Sequence, residues 1–204
     1  KTRANLLRAI SHDIRTPLTS IVGSASGILE NQKVLTQERE MELVQDIKDE
    51  AQWLIRIVEN LLSVTRINGE NARINTEDEV VEEIISSAVI KFNKRFPEAS
   101  VEVKMPEEFL MVAMDGVLIE QVLVNLLENA VLHGKTYTKI CIVVTHTPGR
   151  FEIAVEDDGQ GIKESVLPVM FEGKISSDEE ESDSKRNMGI GLSVCHSIVK
   201  AHKG

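Results

Sequence analysis

A histidine, an aspartate and a threonine lie close together near the start of the chain, within a stretch of helical apolar spacing. Ile10 and Ile14 belong to an apolar stripe that repeats every three or four residues, so one side of this helix is expected to be buried. His12 lies between them and points away from the centre of the stripe, whereas Asp13 and Thr16 share its side of the helix. This imidazole is available for chemistry, although a lone helical histidine is more often a surface or packing residue.

A second group of polar residues follows one line of the predicted helix 116–133. Gln121, Asn125, Asn129 and His133 are four residues apart and lie opposite the apolar face of that helix. Such a line is usually a solvated face, but this one is rich in amides rather than in lysine and glutamate. Amide oxygens suit a hydrated Mg²⁺ and its phosphates, because Mg²⁺ keeps several waters and needs only one or two protein ligands.

Two glycine-rich turns follow this helix along the chain. Asp157 ends a predicted strand and is followed by Gly159 and Gly161, which let the backbone approach a flat base. A carboxylate there can accept a hydrogen bond from an exocyclic amine such as that of adenine, although acidic glycine turns often serve only as loops. Gly189 and Gly191 precede a predicted helix whose free N–H groups could bind phosphate, and a ligand-free helix entry is the alternative.

In this order, the segments resemble the sequence boxes of the sensor histidine kinases. The run SHDIRTPLTSI at residues 11–21 resembles the H box, whose histidine accepts a phosphoryl group from ATP and passes it to an aspartate of a response regulator. The run NLLENA at residues 125–130 resembles the N box, and the two glycine turns resemble the G1 and G2 boxes. Met170-Phe171 resembles a reduced F box, and the polar run 176–187, with five acids, is predicted to form a mobile lid.

The resemblance implies a role for each matching residue. His12 would accept the phosphoryl group, with Asp13 holding the other ring nitrogen or acting as a base, and Asp13 and Thr16 also match positions associated with phosphatase activity in the family. Asn129 would bind Mg²⁺ with Asn125 alongside. The remaining residues implied in nucleotide binding are Asp157, which would read the adenine, and Gly159, Gly161, Gly189, Gly191 and Leu192.

The chain departs from the family pattern at positions that usually contact phosphate. Leu132 stands where many members carry a lysine, and the second aromatic and the basic residue that often follow Phe171 are absent. If a cation contacts the terminal phosphate, it must therefore be Lys174, Lys185 or Arg186.

The elements that must carry these residues form two predicted domains. Residues 1–68 are expected to form a helical hairpin that bends at Pro17, with Thr36 as the N-cap of the second helix. Its apolar faces are too wide for one hairpin, so we expect a homodimer with a four-helix bundle, the alternative being packing on the following domain. Residues 69–204 are expected to form an α+β two-layer sandwich similar to the Bergerat ATP-binding fold, incomplete at its C-terminal end.

For this second domain, the pattern predicts helices at about 78–94 and 116–133. The predicted strands cover 101–105, 110–114, 139–147 and 150–155, the last two forming a hairpin about Pro148-Gly149. A further helix follows the second glycine turn, with Val194, Ile198 and Val199 on its apolar side.

Composition narrows the class of protein. With 204 residues, 42% hydrophobic and 27% charged, the chain is expected to be globular. Its formal charge of −10 argues against nucleic acid as a partner, and its two cysteines predict core thiols in a reducing, cytosolic compartment. We find no apolar run of roughly 18 residues and no signal peptide. An uncapped helical start predicts that the chain continues upstream, so a membrane would be reached only through a sensor region outside this chain.

The resemblance, which covers nearly the whole chain, therefore implies the cytoplasmic catalytic core of a sensor histidine kinase, most similar to the potassium-sensor, Kdp-type group. ATP and Mg²⁺ are the implied cofactors, and a response-regulator receiver domain is the implied partner. One rival is a Bergerat-fold ATPase, which would need a catalytic carboxylate on the N-box helix such as Glu128. Another is a non-catalytic dimeric scaffold that binds nucleotide.

Overall fold

The computed structural model describes residues 2–68, 74–134, 139–164, 166–168, 170–171 and 188–204, apart from the side chains of 2–13, 64, 68 and 188–190. The chain divides into two compact units, residues 1–62 and 63–204, whose boundary falls within the second helix. No helix within the described ranges combines the length and the apolar character needed to cross a bilayer.

The first unit is built from two long helices joined by a short connection. They are α1, Thr2–Asn31, and α2, Gln37–Asn68. A methyl group built on Gly27 would lie 3.7 Å from Cδ1 of Leu43, so the two helices pack against each other as the predicted hairpin. The predicted N-cap is confirmed, because the Arg39 N–H donates to Oγ1 of Thr36 at 3.3 Å. α1 continues through Pro17, whose ring is buried.

The helical hairpin leaves much apolar surface uncovered. Ile57 is buried, at 2% exposed, but large apolar side chains elsewhere on both helices are about half exposed or more. Among the described large apolar side chains of the two helices, the largest exposed fractions are 69% at Leu29 and 66% at Met41. The other large apolar side chains exposed in residues 14–62 are Leu18, Val22, Val34, Val44, Ile55, Val58 and Leu62. One hairpin alone therefore does not bury its own apolar faces.

The second unit is a mixed α/β domain. Its elements are β1 Glu77–Val80, α3 Val81–Arg95, β2 Val101–Lys104, β3 Met111–Met114, α4 Gly116–Gly134, β4 Ile140–Thr147, β5 Arg150–Asp157 and α5 Met188–Ala201. β4 and β5 form the predicted antiparallel hairpin, and β2 pairs with β4 in parallel. β1 and β3 form a separate antiparallel pair. The predicted fold class, a helical N-terminal region followed by an α+β domain, is confirmed.

Two features of this domain differ from the predictions. Residues 77–80 form strand β1, whereas the pattern predicted a helix from about residue 78. The cause is tertiary, because β1 pairs with β3 from Glu77 opposite Met114 to Val80 opposite Met111, and the helix begins only at Val81. The parallel pairing of β2 with β4 was not predicted either, since it depends on a crossover through β3 and α4.

The core of this domain has two parts, which meet at α4. One is formed by α3, α4 and the sheet, and its fully buried members include Phe92, Leu127 and Ile142. The other lies between α4 and α5 around Leu118, and it contains the predicted residues Val194 and Ile198. The prediction for Val199 was wrong, because this residue is 39% exposed on the outer side of α5. α4 is thus enclosed between two helices and the sheet.

The two cysteines are core residues, as predicted. Cys141 is 3% exposed and Cys195 is 5% exposed, and neither forms a disulfide. Cys195 lies against α4, with its Sγ 3.8 Å from the carbonyl oxygen of Val122. Burial raises the pKa of the Cys195 thiol to about 12, so this group stays protonated at neutral pH and is a poor nucleophile.

A histidine at the end of the chain joins α5 to the start of α4. Asp115 caps α4, because its Oδ1 accepts the Leu118 N–H at 3.2 Å. The Asp115 N–H in turn donates to Nε2 of His202 at 3.0 Å. Nδ1 of His202 lies 2.8 Å from the carbonyl oxygen of Ile198, so the hydrogen is on Nδ1 and the lone pair is on Nε2.

We expect His202→Ala to lower the free energy of unfolding of the α/β domain by about 1–3 kcal/mol, because the buried Asp115 N–H loses its acceptor. Urea unfolding of both proteins measures this difference. The matched control is His146→Ala, since His146 is exposed and its ring pairs with the exposed Glu108 at 3.2 Å. That variant should change stability by less than about 0.5 kcal/mol. Equal stability of the two variants would contradict the role of His202.

Candidate functional site

The predicted phosphoacceptor residues lie on α1. The backbone of α1 is helical through His12, Asp13 and Thr16, so their spacing places the three positions on one side of the helix. The side chains of His12 and Asp13 lie outside the described residues. Thr16 is half-buried, and Pro17 after it is buried.

The amide line on α4 is not a solvated face. Asn125 is only 6% exposed, and its Oδ1 accepts a hydrogen bond from Nε2 of Gln121 at 3.2 Å. A methyl group built on Gly191 would lie 3.9 Å from Cγ of Asn125, so the first turn of α5 passes directly over this amide. The N-box and G2-box segments are therefore neighbours in the α/β domain.

Asn129 lies one turn further along α4. Its Nδ2 is buried and has no hydrogen-bond partner within the part of the chain that the structure describes. A buried amide group is normally hydrogen-bonded, and which end of an amide carries nitrogen is assigned from its partners. Asn129 can therefore turn its oxygen or its nitrogen toward a ligand, and an amide oxygen fits a hydrated Mg²⁺ that also binds phosphate.

Glu128, the N-box carboxylate that an ATPase could use, is paired with another helix. It is 4% exposed and forms an ion pair with Arg95, which lies at the end of α3. Removing a buried carboxylate from such a partner is costly. Glu128 is thus held toward α3 as part of the contact between the two helices.

The G1 segment forms a tight loop at the end of β5. Oδ1 of Asp157 accepts the Gly159 N–H at 2.9 Å, which fixes the orientation of this exposed carboxylate. Its second oxygen has no hydrogen bond to any described residue and can accept one from a ligand. Asp158 has a different role, because its Oδ1 accepts the Lys139 N–H at 2.8 Å and ties the loop to the start of β4.

Both predicted glycines of this loop are required by the backbone. A Cβ at residue 159 would lie 2.7 Å from Cα and 2.8 Å from the carbonyl oxygen of Gly134, closer than atoms can pack. Gly161 has a φ of 71°, a left-handed conformation that side chains disfavour. The G1 loop therefore rests directly on the C-terminal end of α4.

The G2 segment differs slightly from its prediction. α5 begins at Met188, so Gly189 and Gly191 lie in its first turn instead of preceding the helix. The first four N–H groups of a helix have no partner within it, so this turn still offers donors to phosphate. Leu192 is buried at 6% exposed, which assigns its side chain to packing.

The F-box phenylalanine lies against the same helix. The rings of Phe171 and His196 stack with their centroids 5.3 Å apart, and both side chains are exposed. Leu132, at the position of the expected lysine, is half-buried. The predicted lid and the three cations proposed for the terminal phosphate lie outside the described residues.

Two residues near the site were missed by sequence reasoning, His196 and Gln160. The Gln160 side chain hydrogen-bonds to the backbone of His133, 27 residues earlier. No local sequence pattern predicts this contact, because Gln160 occupies a variable position of the Asp-x-Gly-x-Gly turn. The packing of the loop on α4 makes Gln160 a candidate, and the stacking on Phe171 makes His196 one.

Two family models match the chain. The His Kinase A phospho-acceptor domain, HisKA, matches residues 2–70. The histidine kinase-, DNA gyrase B- and HSP90-like ATPase domain, HATPase_c, matches residues 114–204. The first match contains the H box, and the second contains the N, G1 and G2 boxes.

Similar proteins agree with these matches. The sensor protein KdpD of Clostridium acetobutylicum is 44% identical over 100% of this chain and 23% of its own length, and KdpD of Escherichia coli is 31% identical over 99% and 22%. The chain thus spans about a quarter of these relatives. The histidine kinase ThkA, solved in complex with the response regulator protein TrrA, aligns with a TM-score of 0.68 and 21% identity over 98% of this chain and 55% of that chain, a likeness of fold.

The order of the two domains, the positions of the boxes within them and the identity to KdpD over the whole chain lead to one family. The chain belongs to the sensor histidine kinases, with a phospho-acceptor domain followed by an ATPase domain.

Proposed function

We propose that this chain is an ATP-dependent protein histidine kinase that phosphorylates His12 and passes the phosphoryl group to an aspartate of a response-regulator receiver domain. The observation that supports this most directly is the convergence of three segments in one domain. The amides of Asn125 and Asn129, the first turn of α5 and the loop at Asp157 adjoin one another along α4. Such a convergence suits a nucleotide with a base at one end and phosphates at the other.

In the proposed transfer the protein contributes mainly by positioning the reacting groups and by stabilising charge. The lone pair on Nε2 of His12 attacks the γ-phosphorus of ATP in line with the leaving oxygen. A P–N bond forms while the bond to the bridging oxygen breaks, and ADP leaves with that electron pair. Asp13 accepts the hydrogen bond from Nδ1–H, or takes its proton, and so stabilises the positive charge that develops on the ring.

The ATPase domain would bind the nucleotide at both ends. Asp157 would accept a hydrogen bond from the exocyclic amine of adenine. The backbone of Gly159 and Gly161 would approach the base, and the backbone of Gly189 and Gly191 would approach the phosphates. Asn129, with Asn125 beside it, would hold Mg²⁺, which when bound neutralises charge on the phosphate oxygens. This assignment is supported by the buried Nδ2 of Asn129, which has no hydrogen-bond partner among the described residues.

The helical domain, residues 1–68, would form a homodimer with a four-helix bundle. The exposed apolar side chains on both helices support this, because pairing two hairpins would remove them from water. The second domain, residues 69–204, would then deliver ATP to His12.

The whole protein would be a bacterial sensor of the Kdp type, anchored in a membrane by a region outside this chain, with this segment in the cytoplasm. The names of the two KdpD relatives support the type, and the ThkA complex with TrrA supports a response regulator as partner. The alternative of a Bergerat-fold ATPase has less support, because Glu128 is paired with Arg95.

The test of the proposed function is incubation with ATP labelled at the γ-phosphate, followed by mapping of the labelled residue. We expect acid-labile label on His12 in the native sequence and none in His12→Gln, whose amide lacks a nucleophilic nitrogen. Label on another residue would contradict the role of His12. Release of phosphate without any label on the protein would favour the ATPase.

A further inference from the structure

Gln160 makes two hydrogen bonds to the end of α4. Its Nε2 donates to the carbonyl oxygen of His133 at 2.8 Å, and its backbone N–H donates to the carbonyl oxygen of Gly134 at 3.2 Å. These carbonyls belong to the last turn of α4, where no intrahelical donor remains. One residue of the loop therefore caps two successive carbonyls of the helix.

This contact joins the two ends of the proposed nucleotide site. Asp157 is fixed to the same loop through its hydrogen bond to Gly159, and Gly159 lies against Gly134 without space for a side chain. Asn129 lies one turn before His133 on α4. The contacts of Gly159 and Gln160 with the end of α4 therefore form the path that connects the Asp157 carboxylate to the Asn129 amide. The side chain of Gln160 can be removed from this path without creating a clash and without changing a residue assigned to the nucleotide.

We propose that Gln160 is a positioning residue that holds the G1 loop, which would bind adenine, at a fixed distance from the phosphate-binding face of α4. This inference rests on the proposed binding of ATP between that loop and α4. ATP must contact both ends of the site at once, so its affinity depends on their separation. Adenosine contacts only the loop, so its affinity depends on the loop alone.

The test compares two ligands and three variants. Gln160→Met keeps the length of the side chain but removes the donor, and Gln160→Lys keeps a donor that can reach the carbonyl. Glu164→Met, at an exposed position further along the same loop, is the matched control. The dissociation constants of Mg·ATP and of adenosine are measured by titration calorimetry or by NMR, together with the rate of His12 phosphorylation as a function of ATP concentration.

We expect Gln160→Met to weaken ATP binding roughly 2- to 12-fold, the value of one neutral hydrogen bond, and to raise the KM for ATP equally. Its adenosine affinity and its rate at saturating ATP should stay within about twofold of the native values. Gln160→Lys should recover most of the ATP affinity, and Glu164→Met should leave both affinities unchanged.

Three outcomes would overturn the role of Gln160. They are native ATP affinity in Gln160→Met, an equal loss for adenosine and ATP, and a Lys variant that fails to recover what the Met variant loses. The second would assign Gln160 to the internal order of the loop, and the third would assign the loss to packing. Failure of the native protein to bind ATP is a separate result, which would overturn the proposed function itself.

Discussion

Asp157→Ala is expected to abolish measurable ATP binding, with a loss of about 100-fold in affinity. The carboxylate makes two charge-assisted hydrogen bonds in the proposed complex, one from the Gly159 N–H at 2.9 Å and one from the exocyclic amine of adenine. The bond to adenine forms only on binding and contributes about 1.5–3 kcal/mol. The bond to Gly159 already exists in the free protein, and its loss releases the loop, so that ordering the loop adds to the cost of binding and brings the expected total to about 100-fold. Titration with ATP in the presence of Mg²⁺ measures the change.

Two further substitutions separate the roles of this carboxylate. Asp157→Asn keeps an oxygen for the Gly159 N–H, so the loop stays ordered, but the amide nitrogen that replaces the second oxygen cannot accept from adenine. It should lose a large part of the affinity with no loss of stability. Glu156→Gln changes an exposed carboxylate next to it and should bind ATP normally. Unchanged ATP affinity in Asp157→Ala would remove Asp157 from the adenine site.

The same variant tests the independence of the two domains. Asp157 belongs to the α/β unit, so its loss should leave the proposed dimer of residues 1–68 intact. Sedimentation at tens of micromolar protein should give a dimer for both the native chain and Asp157→Ala. A native monomer would contradict the dimer proposal and would require another cover for the exposed apolar faces of α1 and α2.

The parts of the fold that the sequence predicted are those with local causes. Thr36 caps α2 by accepting a hydrogen bond from the N–H group three residues later, and it was recognised from residue type and position. The β4–β5 hairpin follows from its alternating strands about Pro148-Gly149, where Gly149 has a φ of 81°. Such signals lie within a few residues of the structure that they determine.

The parts that were missed depend on contacts distant in sequence. Residues 77–80 have no strong strand pattern and become a strand because β3, more than 30 residues later, pairs with them. The hydrogen bonds of Gln160 to α4 and of His202 to Asp115 likewise span 27 and 87 residues. A side chain that acts across such a distance carries no spacing that a single sequence could reveal.

In the candidate site, too, some features could be predicted from local sequence and others could not. Residue type and order pointed to the motifs that contain Asp157, Gly159 and Asn129, and the resemblance of these motifs to the G1 and N boxes implied the roles of the three residues. The burial of Asn125 beneath Gly191 was not predicted, because a polar line on an isolated helix indicates a solvated face. α5 covers that face, and only the assembled domain shows that the amide is enclosed.

The second large effect is expected for Thr16→Ala, in the removal of the phosphoryl group from the regulator. A hydroxyl one turn after His12 can orient a water in line with the acyl phosphate of the receiver aspartate, with no change in its own protonation. Thr16 is half-buried on α1, so its side chain is restrained. We expect the variant to keep His12 phosphorylation but to dephosphorylate the regulator roughly 10- to 1000-fold more slowly, the range for loss of a positioning group.

Thr19 supplies the matched control, because its Oγ1 donates to the carbonyl oxygen of Arg15 at 2.9 Å, one turn back along α1. This is the structural role that Thr16 would have if it did not act on water, and such a hydroxyl does little beyond satisfying a carbonyl. Thr19→Ala should therefore change neither rate by more than about twofold. Both rates are measured on the same preparation of each variant, with phosphorylated regulator and ADP for the reverse step. An equal loss of both rates in Thr16→Ala would mean that the helix around His12 was disturbed, and an undiminished dephosphorylation rate would leave Thr16 with the same structural role as Thr19.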